Sequence, residues 1–453
     1  MLPEGFLIRA KALLGEDYDK FIEALSLPAE RGIRVNRIKA DPSLCSLLLG
    51  DGITPIPYCE GGFILEDDRR LGISPEHHAG MIYAQDPGAM ATLSALDLPE
   101  DAWVCDLCAA PGGKSGQIAE KIPKGFLLSN EYVPKRAKIV VGNFERLGVK
   151  NAVVTSLDTR ELSEMFSCVF DLVVADAPCS GEGMFRKNEL ALTEWSLDNI
   201  LLCQRRQEYI LDNAASMVRS GGRLLYSTCT YAPEENEIVV TRFLERHPEF
   251  SIIPVKQALA RATADGIRSP ETDAMGIELT RRFYPHISRG EGQYIALLEK
   301  KDTGESPKIL YKDTSQPLNR TERQIVDAFI LECMDNMPDG RLAKVGENIV
   351  LIPHGCPIPP KSVFMSGILL GEISGGRLKP SHQFFSAYGR LFKRRVRLTR
   401  GDARVEKYLL GEEIDADIPS GWCAVLYEGA PLGGGKASDG RVKNHYPKGL
   451  RNR

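Results

Sequence analysis

Two cysteines, Cys179 and Cys229, stand in sequence settings that favour nucleophilic chemistry. Cys179 lies in DAPCSGEGMF (176–185) and Cys229 lies in YSTCTY (226–231). Each segment follows an apolar run that predicts a strand, so both thiols should lie at the carboxyl edge of one sheet, where α/β proteins bind ligands. A thiolate that adds to carbon 6 of a cytosine makes carbon 5 nucleophilic, and a second thiol can assist release. The spacing alone leaves open which cysteine attacks.

Other interpretations of the cysteines are weaker. A lone cysteine in an apolar stretch is usually an inert buried thiol, but two of them at neighbouring strand ends are harder to explain in that way. The spacing Cys105-x-x-Cys108 resembles half of a zinc or redox motif. There is no second pair, and Cys105 lies within the strand pattern AWVCDL, so we predict no metal site.

A glycine-containing loop precedes the cysteines and predicts a ligand site. The segment Asp106 to Ser115, DLCAAPGGKS, follows a predicted strand and opens a predicted helix, whose N–H groups point outward. It fits neither a P-loop nor a dinucleotide fingerprint, because position 108 is Cys where both require Gly.

Acidic residues at the next strand ends predict what the loop binds. Glu131 stands about 20 residues beyond the loop, where an acid can accept hydrogen bonds from ribose hydroxyls. Asp158 follows the third strand and could accept from an adenine amino group. Either acid could instead cap a helix, but together with the loop they predict an adenosine-type cofactor. Asp176, beside Cys179, could donate a proton to the ring nitrogen of the reacting base.

These residues require an α/β sheet to position them. Strand and helix patterns alternate from about residue 100 to residue 300, which predicts a doubly wound sheet, and RRFYPHISRGEGQYIALLEK (281–300) predicts a closing hairpin. At 453 residues the chain is too long for a single core. We predict an N-terminal α+β domain (1–92) and the catalytic domain (93–300), and the residues after 300 could form two small domains or one larger one.

Composition and charge narrow the class of protein. Hydrophobic residues make up 43% and charged residues 26%, which is typical of a folded globular chain. Eleven cysteines without regular spacing favour a reducing cytoplasm, and we find neither a secretion signal nor a membrane span.

The distribution of charge bears on partners. The formal net charge is only -4, yet residues 391–400 and 441–453 each contain five basic and no acidic residues. This pattern suits contacts with phosphates or a solvated basic face.

Four motifs resemble the Nop/Sun family of RNA cytosine-5 methyltransferases: CAAPGGK (108–114), DAPCSGEGMF (176–185), YSTCTYAPEENE (226–237) and RRFYPHISRGEGQ (281–293). The resemblance covers residues 80 to 300 and implies a Rossmann-like methyltransferase fold with S-adenosyl-L-methionine as cofactor. It also implies that Cys229 is the nucleophile and that Cys179 serves product release. The implied cofactor-binding residues are Cys108, Ala109, Ala110, Pro111, Gly112, Gly113, Lys114, Glu131, Asp158 and Asp176.

The flanking segments resemble a narrower group, the bacterial RsmF-type enzymes. RGIRVNRIK (31–39), HQFFSAYG (382–389) and PLGGGKASDGRVKNHYPKGLR (431–451) carry this likeness. It implies a linking C-terminal subdomain (301–372), a PUA-like RNA-binding domain (373–453) and 16S rRNA of the small ribosomal subunit as substrate. We expect a cytoplasmic monomer without metal. The same chemistry on tRNA or 23S rRNA, and a non-catalytic RNA-binding scaffold, are the alternatives.

Overall fold

The computed structural model describes residues 2–452 and contains five β-sheets. The largest has ten strands, and the other four have two to five strands each. No helix within residues 2–452 is long and apolar enough to cross a bilayer.

The N-terminal region forms a four-stranded sheet flanked by helices, with strand order β2-β3-β1-β4. The segment RGIRVNRIK supplies β1, whose residues are all buried because the strand lies in the middle of this sheet. The strands are β1 (Gly32–Val35), β2 (Ile53–Pro55), β3 (Gly62–Leu65) and β4 (Ile82–Ala84), and the helices are α1 (Glu4–Leu14), α2 (Tyr18–Ser26), α3 (Pro42–Leu49), α4 (Pro75–His78) and α5 (Pro87–Ser94).

The middle of the chain forms the predicted α/β sheet. Its strands are β5 (Trp103–Asp106), β6 (Phe126–Asn130), β7 (Ala152–Thr155), β9 (Phe170–Asp176), β10 (Val218–Thr228), β11 (Phe250–Ile252), β12 (Ala264–Asp265), β13 (Arg281–Phe283) and β14 (Gln293–Lys300), while β8 (Phe166–Ser167) stands apart. The helices are α6 (Gly113–Lys121), α7 (Pro134–Leu147), α8 (Thr159–Met165), α9 (Glu189–Glu194), α10 (Leu197–Met217), α11 (Glu237–Arg246) and α12 (Gln257–Arg261).

The topology brings the candidate residues to one edge. Five strands run parallel in the order β10-β9-β5-β6-β7, so their carboxyl ends lie side by side. Their apolar side chains are almost wholly buried because helices cover both faces, as expected for a parallel sheet. The predicted hairpin is present: β13 and β14 pair antiparallel, and β14 also pairs with β10.

The C-terminal third contributes an antiparallel sheet with the order β16-β17-β19-β20 and a mixed five-stranded sheet with the order β21-β23-β24-β25-β22, in which β21 and β23 are the parallel pair. Its strands are β15 (Lys308–Ile309), β16 (Arg341–Val345), β17 (Asn348–Ile352), β18 (Val363–Ser366), β19 (Ile368–Ser374), β20 (Arg377–Pro380), β21 (Arg395–Leu398), β22 (Ile414–Asp415), β23 (Gly421–Tyr427), β24 (Ala430–Ser438) and β25 (Arg441–Asn444); its helices are α13 (Arg320–Cys333), α14 (His382–Tyr388) and α15 (Ala403–Leu410).

One of these strands leaves its neighbours and joins the catalytic sheet. β18 pairs antiparallel with β7, so the outer edge of the parallel sheet is covered by a segment far along the chain. Covering an edge in this way satisfies N–H and C=O groups that would otherwise invite pairing with another chain.

Candidate active site

The glycine loop joins β5 to α6 and has the shape that a ligand site requires. Gly112 has a φ of 108°, a left-handed conformation that favours glycine. A Cβ on Gly113 would approach the Tyr83 ring to 2.8 Å, so a side chain is excluded there as well. Tyr83 belongs to the N-terminal sheet, which therefore packs directly against this loop.

Asp106, the last residue of β5, stabilises the glycine loop through the contacts of its carboxylate. The carboxylate is buried, accepts a short hydrogen bond from the Ser115 hydroxyl and lies 3.4 Å from the backbone N of Cys108. Burial raises the pKa of Asp106 to about 7, and the Ser115 hydrogen bond opposes that rise. From its sequence position, Asp106 is only the first residue of the loop, and its role as a buried hydrogen-bond acceptor depends on the fold.

Glu131 is held at the end of β6 in the position expected for a ribose ligand. Its side chain is only 5% exposed. The two carboxylate oxygens accept from the backbone N–H groups of Ala110, at 3.3 Å, and Val133, at 3.0 Å. Helix α7 braces the same loop, because Arg136 donates to the carbonyl of Ala110 and Asn143 donates to that of Pro111.

Asp158 follows β7 and caps helix α8. One of its carboxylate oxygens accepts from the backbone N of Arg160 at 2.9 Å and from the Tyr209 hydroxyl at 2.7 Å, and Glu161 completes the capping box. The capping alternative raised by the sequence is therefore present in the structure. It leaves the carboxylate at the sheet edge, next to β6, the strand that Glu131 follows.

Asp176 is surrounded by hydrogen-bond donors. The Lys114 ammonium lies 2.8 Å from one oxygen, while the Ser227 hydroxyl (2.6 Å) and the Gln293 amide (3.4 Å) donate to the other. Burial is the largest single effect on the pKa of Lys114 and lowers it, but the interactions with Asp176, Cys229 and Asp106 together outweigh burial and raise the net pKa. The sequence predicts Asp176 as a proton donor to the base, and this stays a prediction. The structure adds Lys114, an ammonium group 2.8 Å away, as a second hydrogen-bond donor at the same place.

The two cysteines meet because β9 and β10 are parallel neighbours, with Asp176 opposite Ser227 in the register. Their Sγ atoms are 3.2 Å apart, and the backbone N of Cys229 lies 3.4 Å from the Cys179 Sγ. Both are free thiols and both are partly exposed. The contact with Cys229 raises the pKa of Cys179 well above its usual value, and burial adds to the effect. Of the pair, Cys179 is therefore the thiol whose surroundings favour the protonated form.

The N-terminal region supports this site, a role that the sequence did not reveal. Arg34 of β1 is 1% exposed and lies 2.6 Å from Glu120 of helix α6, which the glycine loop opens. Phe6 of α1 packs edge-on against Phe185 of the Cys179 segment, with ring centroids 5.0 Å apart. Phe21 of α2 packs in the same way against Tyr231, two residues after Cys229. The N-terminal helices thus fix both cysteine segments.

The C-terminal basic segments are folded rather than free. Residues 441–444 form β25, which pairs with the largely buried strand β24. This stretch is therefore part of the folded C-terminal sheet. Exposed basic side chains line both segments, including Arg397 and Lys443. A cleft of about 420 Å³ lies between α13 and the C-terminal sheet, lined by Glu332, Lys393, Arg394, Arg395, Arg397, Ile418 and Pro419. Within residues 2–452 no group of three metal-ligating side chains was found.

Family models match three parts of the chain. They are described as 16S rRNA methyltransferase RsmB/F (residues 93–299), the N-terminal domain of 16S rRNA methyltransferase RsmF (2–87) and the methyltransferase RsmF PUA domain (395–452). The fold and the paired-cysteine site define a Rossmann-like, S-adenosylmethionine-dependent methyltransferase. The predicted fold class and cofactor are thereby confirmed.

Curated relatives extend the match to the whole chain. Ribosomal RNA small subunit methyltransferase F of Klebsiella pneumoniae (strain 342) is 32% identical over 99% of this chain and 96% of its own length. The protein of the same name from Aeromonas salmonicida (strain A449) is 31% identical, over 99% and 97%. The chain therefore belongs to the RsmF family of 16S rRNA methyltransferases.

Solved structures agree on the architecture. A methyltransferase homolog protein from Pyrococcus horikoshii is 28% identical, with a TM-score of 0.58 over 66% of this chain and 95% of that one. A structure titled PH0851 is 30% identical, with a TM-score of 0.59 over 66% of each chain.

Proposed function

We propose that this protein transfers a methyl group from S-adenosylmethionine to carbon 5 of a cytosine in 16S rRNA, with Cys229 as the nucleophile. One observation carries the proposal: two free thiols lie 3.2 Å apart at neighbouring strand ends, beside the Lys114–Asp176 ion pair. Family membership supplies the class of substrate.

The residues at the sheet edge fit the proposed cofactor. Gly112 and Gly113 let the loop turn tightly between Tyr83 and helix α7, and Glu131 presents a buried carboxylate that two backbone amides already orient for ribose hydroxyls. We assign the loop Cys108–Lys114 to the cofactor, Asp158 to the adenine side and Asp176 to the side of the reacting base. When bound, S-adenosylmethionine supplies an electrophilic methyl group and leaves as a neutral thioether.

The chemistry of the chain's own groups follows from their contacts. The Cys229 thiolate adds to carbon 6, and the electron pair displaced from the carbon 5–carbon 6 double bond makes carbon 5 nucleophilic towards the methyl group. The Lys114 ammonium group, which is paired with Asp176, donates a hydrogen bond to the ring nitrogen of the base, where negative charge develops. After methyl transfer, the carbon 5 proton leaves to a base. Its bonding pair restores the double bond, and the carbon–sulfur pair returns to Cys229. We assign assistance at this release step to Cys179.

We also propose how the remaining parts act. The exposed basic side chains of residues 391–452 suit phosphate contacts with folded rRNA, which proteins recognise mainly through shape and backbone. We propose the spans 1–92, 93–300, 301–372 and 373–453 as its domains, with the last boundary moved beyond β20, because position 372 lies within β19 and the sheet β16-β17-β19-β20 is one unit. Strand β18 from the third span completes the catalytic sheet. Because one chain supplies every assigned site residue, we propose that the protein works as a monomer. We also propose that it acts in the cytoplasm, where ribosomal subunits are assembled.

Two cysteine variants test the division of roles. Cys229→Ala should abolish methylation of 16S rRNA while leaving cofactor binding intact, because the cofactor residues do not include it. Cys179→Ala should accumulate a covalent protein–RNA adduct, visible on a denaturing gel, because release fails. Cys203→Ala removes another buried thiol nearby and is the control. Equal loss of methylation in both variants without adduct in Cys179→Ala would contradict the assignment.

The substrate is tested in cells that lack the protein. Mass spectrometry of their 16S rRNA should show loss of 5-methylcytosine, restored when purified enzyme and S-adenosylmethionine are added. Loss from tRNA or 23S rRNA instead would keep the chemistry and replace the substrate.

A further inference from the structure

A buried carboxylate that the mechanism above does not use lies directly behind the two thiols. Glu235 stands in the PEENE part of the motif YSTCTYAPEENE (226–237), in a 3₁₀ turn (Pro233–Glu235), and its exposure is 0%. A carboxylate so completely removed from water is costly unless donors surround it. Its partners therefore indicate what it does.

Those partners belong to the Cys179 segment. One Glu235 oxygen accepts from the backbone N of Ser180 at 2.8 Å and from the Gln207 amide at 3.0 Å, while the other accepts from the Ser180 hydroxyl. Gln207 also donates to the carbonyl of Pro178 at 3.0 Å. Glu235 thus holds the residue after Cys179 directly and the residue before it through Gln207.

The same network reaches the Cys229 segment. The Ser180 hydroxyl lies 2.8 Å from the hydroxyl of Thr230, which immediately follows Cys229. The backbone carbonyl of Glu235 accepts from the Tyr226 hydroxyl at 2.5 Å, which anchors the turn to strand β10. One carboxylate therefore links both cysteine segments to each other and to the sheet.

We propose that Glu235 is a positioning residue that sets the separation of the Cys179 and Cys229 sulfur atoms and so keeps Cys179 in place for product release. The inference rests on the proposed roles of the two cysteines. Glu235 touches neither sulfur in the hydrogen-bond network, so it acts through Ser180, Gln207 and Thr230. Buried networks of this kind hold a geometry when every donor is matched.

The charges around Glu235 agree with this role. Burial raises its pKa to about 7, and donation by Ser180 and Gln207 opposes the rise. Glu182 lies nearby, while Arg9 and Cys203 interact with Glu235 electrostatically. Glu235 adds to the rise in the pKa of Cys179, after the larger effects of Cys229 and burial. The carboxylate therefore also helps Cys179 to remain a thiol while Cys229 attacks.

The test measures adduct rather than activity alone, since any damaged site loses activity. Purified full-length Glu235→Gln, Cys179→Ala and wild-type protein are incubated with S-adenosylmethionine and 16S rRNA, and adduct is quantified on denaturing gels. Glu235→Gln keeps the size of the side chain but replaces one acceptor oxygen with an NH₂ group, so one of the hydrogen bonds that Glu235 accepts from Ser180 or Gln207 is lost. We therefore expect product release to slow about 10- to 100-fold and the adduct to accumulate. Glu235→Asp should restore part of the release rate.

Glu234→Gln is the matched control. Glu234 lies in the same turn but is half-buried and pairs with Arg9 at 2.6 Å instead of with the cysteine segments, so its adduct level should equal that of wild type. Thr230→Val breaks the link between the two segments while keeping the carboxylate, and it should trap adduct even if Glu235→Gln fails to fold.

The outcomes separate the two ideas. Adduct in Cys179→Ala but not in Glu235→Gln or Thr230→Val would overturn the positioning role alone. Absence of adduct in Cys179→Ala would overturn the proposed division between the cysteines. Equal adduct in Glu234→Gln and Glu235→Gln would also overturn the inference, because the effect would then not depend on contact with Ser180.

Discussion

Glu131 offers the sharpest test of the cofactor assignment, since a single carboxylate is assigned to two ribose hydroxyls. We consider Glu131→Gln. The side chain is 5% exposed, and backbone amides at 3.3 and 3.0 Å already occupy one direction on each oxygen. Gln keeps one acceptor oxygen, but its NH₂ group replaces the other oxygen and faces one of those two backbone N–H groups. The variant therefore loses a charge-assisted hydrogen bond to the ribose and leaves a backbone donor unmatched.

Hydrogen bonds to charged groups contribute about 1.5–3 kcal/mol each, which corresponds to about 10- to 150-fold weaker binding. Isothermal titration of S-adenosylhomocysteine into the purified protein, without RNA, measures this directly. Glu164→Gln on α8 is the control, because Glu164 is exposed and pairs only with Arg160. A dissociation constant for Glu131→Gln within twofold of wild type, in a protein that unfolds at the same temperature as Glu164→Gln, would refute the ribose assignment.

Two further predictions concern charge. Burial raises the pKa of Asp106 to about 7, so the folded state holds a proton that the unfolded state has lost above pH 4, and stability should fall as pH rises from 5 to about 7. Two pH units correspond to a loss of about 3 kcal/mol in the free energy of unfolding, and Asp106→Asn should lack this pH-dependent loss. Urea unfolding of both proteins at pH 5 and pH 8 measures the difference. An identical pH dependence in the two proteins would contradict the prediction. Arg397→Ala and Lys443→Ala should each weaken binding to 16S rRNA and reduce the salt slope by about 0.7–0.9. Filter binding between 50 and 200 mM salt measures the slope, with the ion-paired Arg323→Ala on α13 as control; a slope equal to that of the control would argue against phosphate contact.

The parallel sheet and its functional edge could be predicted because local patterns determine them. Apolar runs ending in Asp106, Asn130, Thr155, Asp176 and Thr228 read as successive buried strands, and parallel strands place their carboxyl ends together. The meeting of Cys179 and Cys229 follows from that rule, since β9 and β10 are adjacent. The glycine loop was equally clear, because Gly112 and Gly113 occupy places where a Cβ is strained or blocked.

What the sequence did not reveal depends on side chains that are distant along the chain. Lys114 was assigned only to the cofactor, yet it reaches Asp176, 62 residues away. Arg34 gave no chemical signal because its partner Glu120 lies in another domain of the chain. Asp158 illustrates a genuine ambiguity, since a carboxylate before a helix can cap it and face a ligand at the same time. No local pattern separates these roles; only packing does.

The edge strand β18 has a consequence for how the protein is made. The catalytic sheet contains its strands up to β14 once residue 300 has been synthesised, but its β7 edge stays unpaired until Val363–Ser366 follow. At about 5–20 residues per second, the roughly 60 residues between residue 300 and Val363 take about 3–13 seconds to add. For that time a nascent chain carries an open, apolar strand edge. A chain truncated anywhere before residue 363 would keep it permanently, and we would expect such fragments to aggregate rather than to yield an isolated catalytic domain.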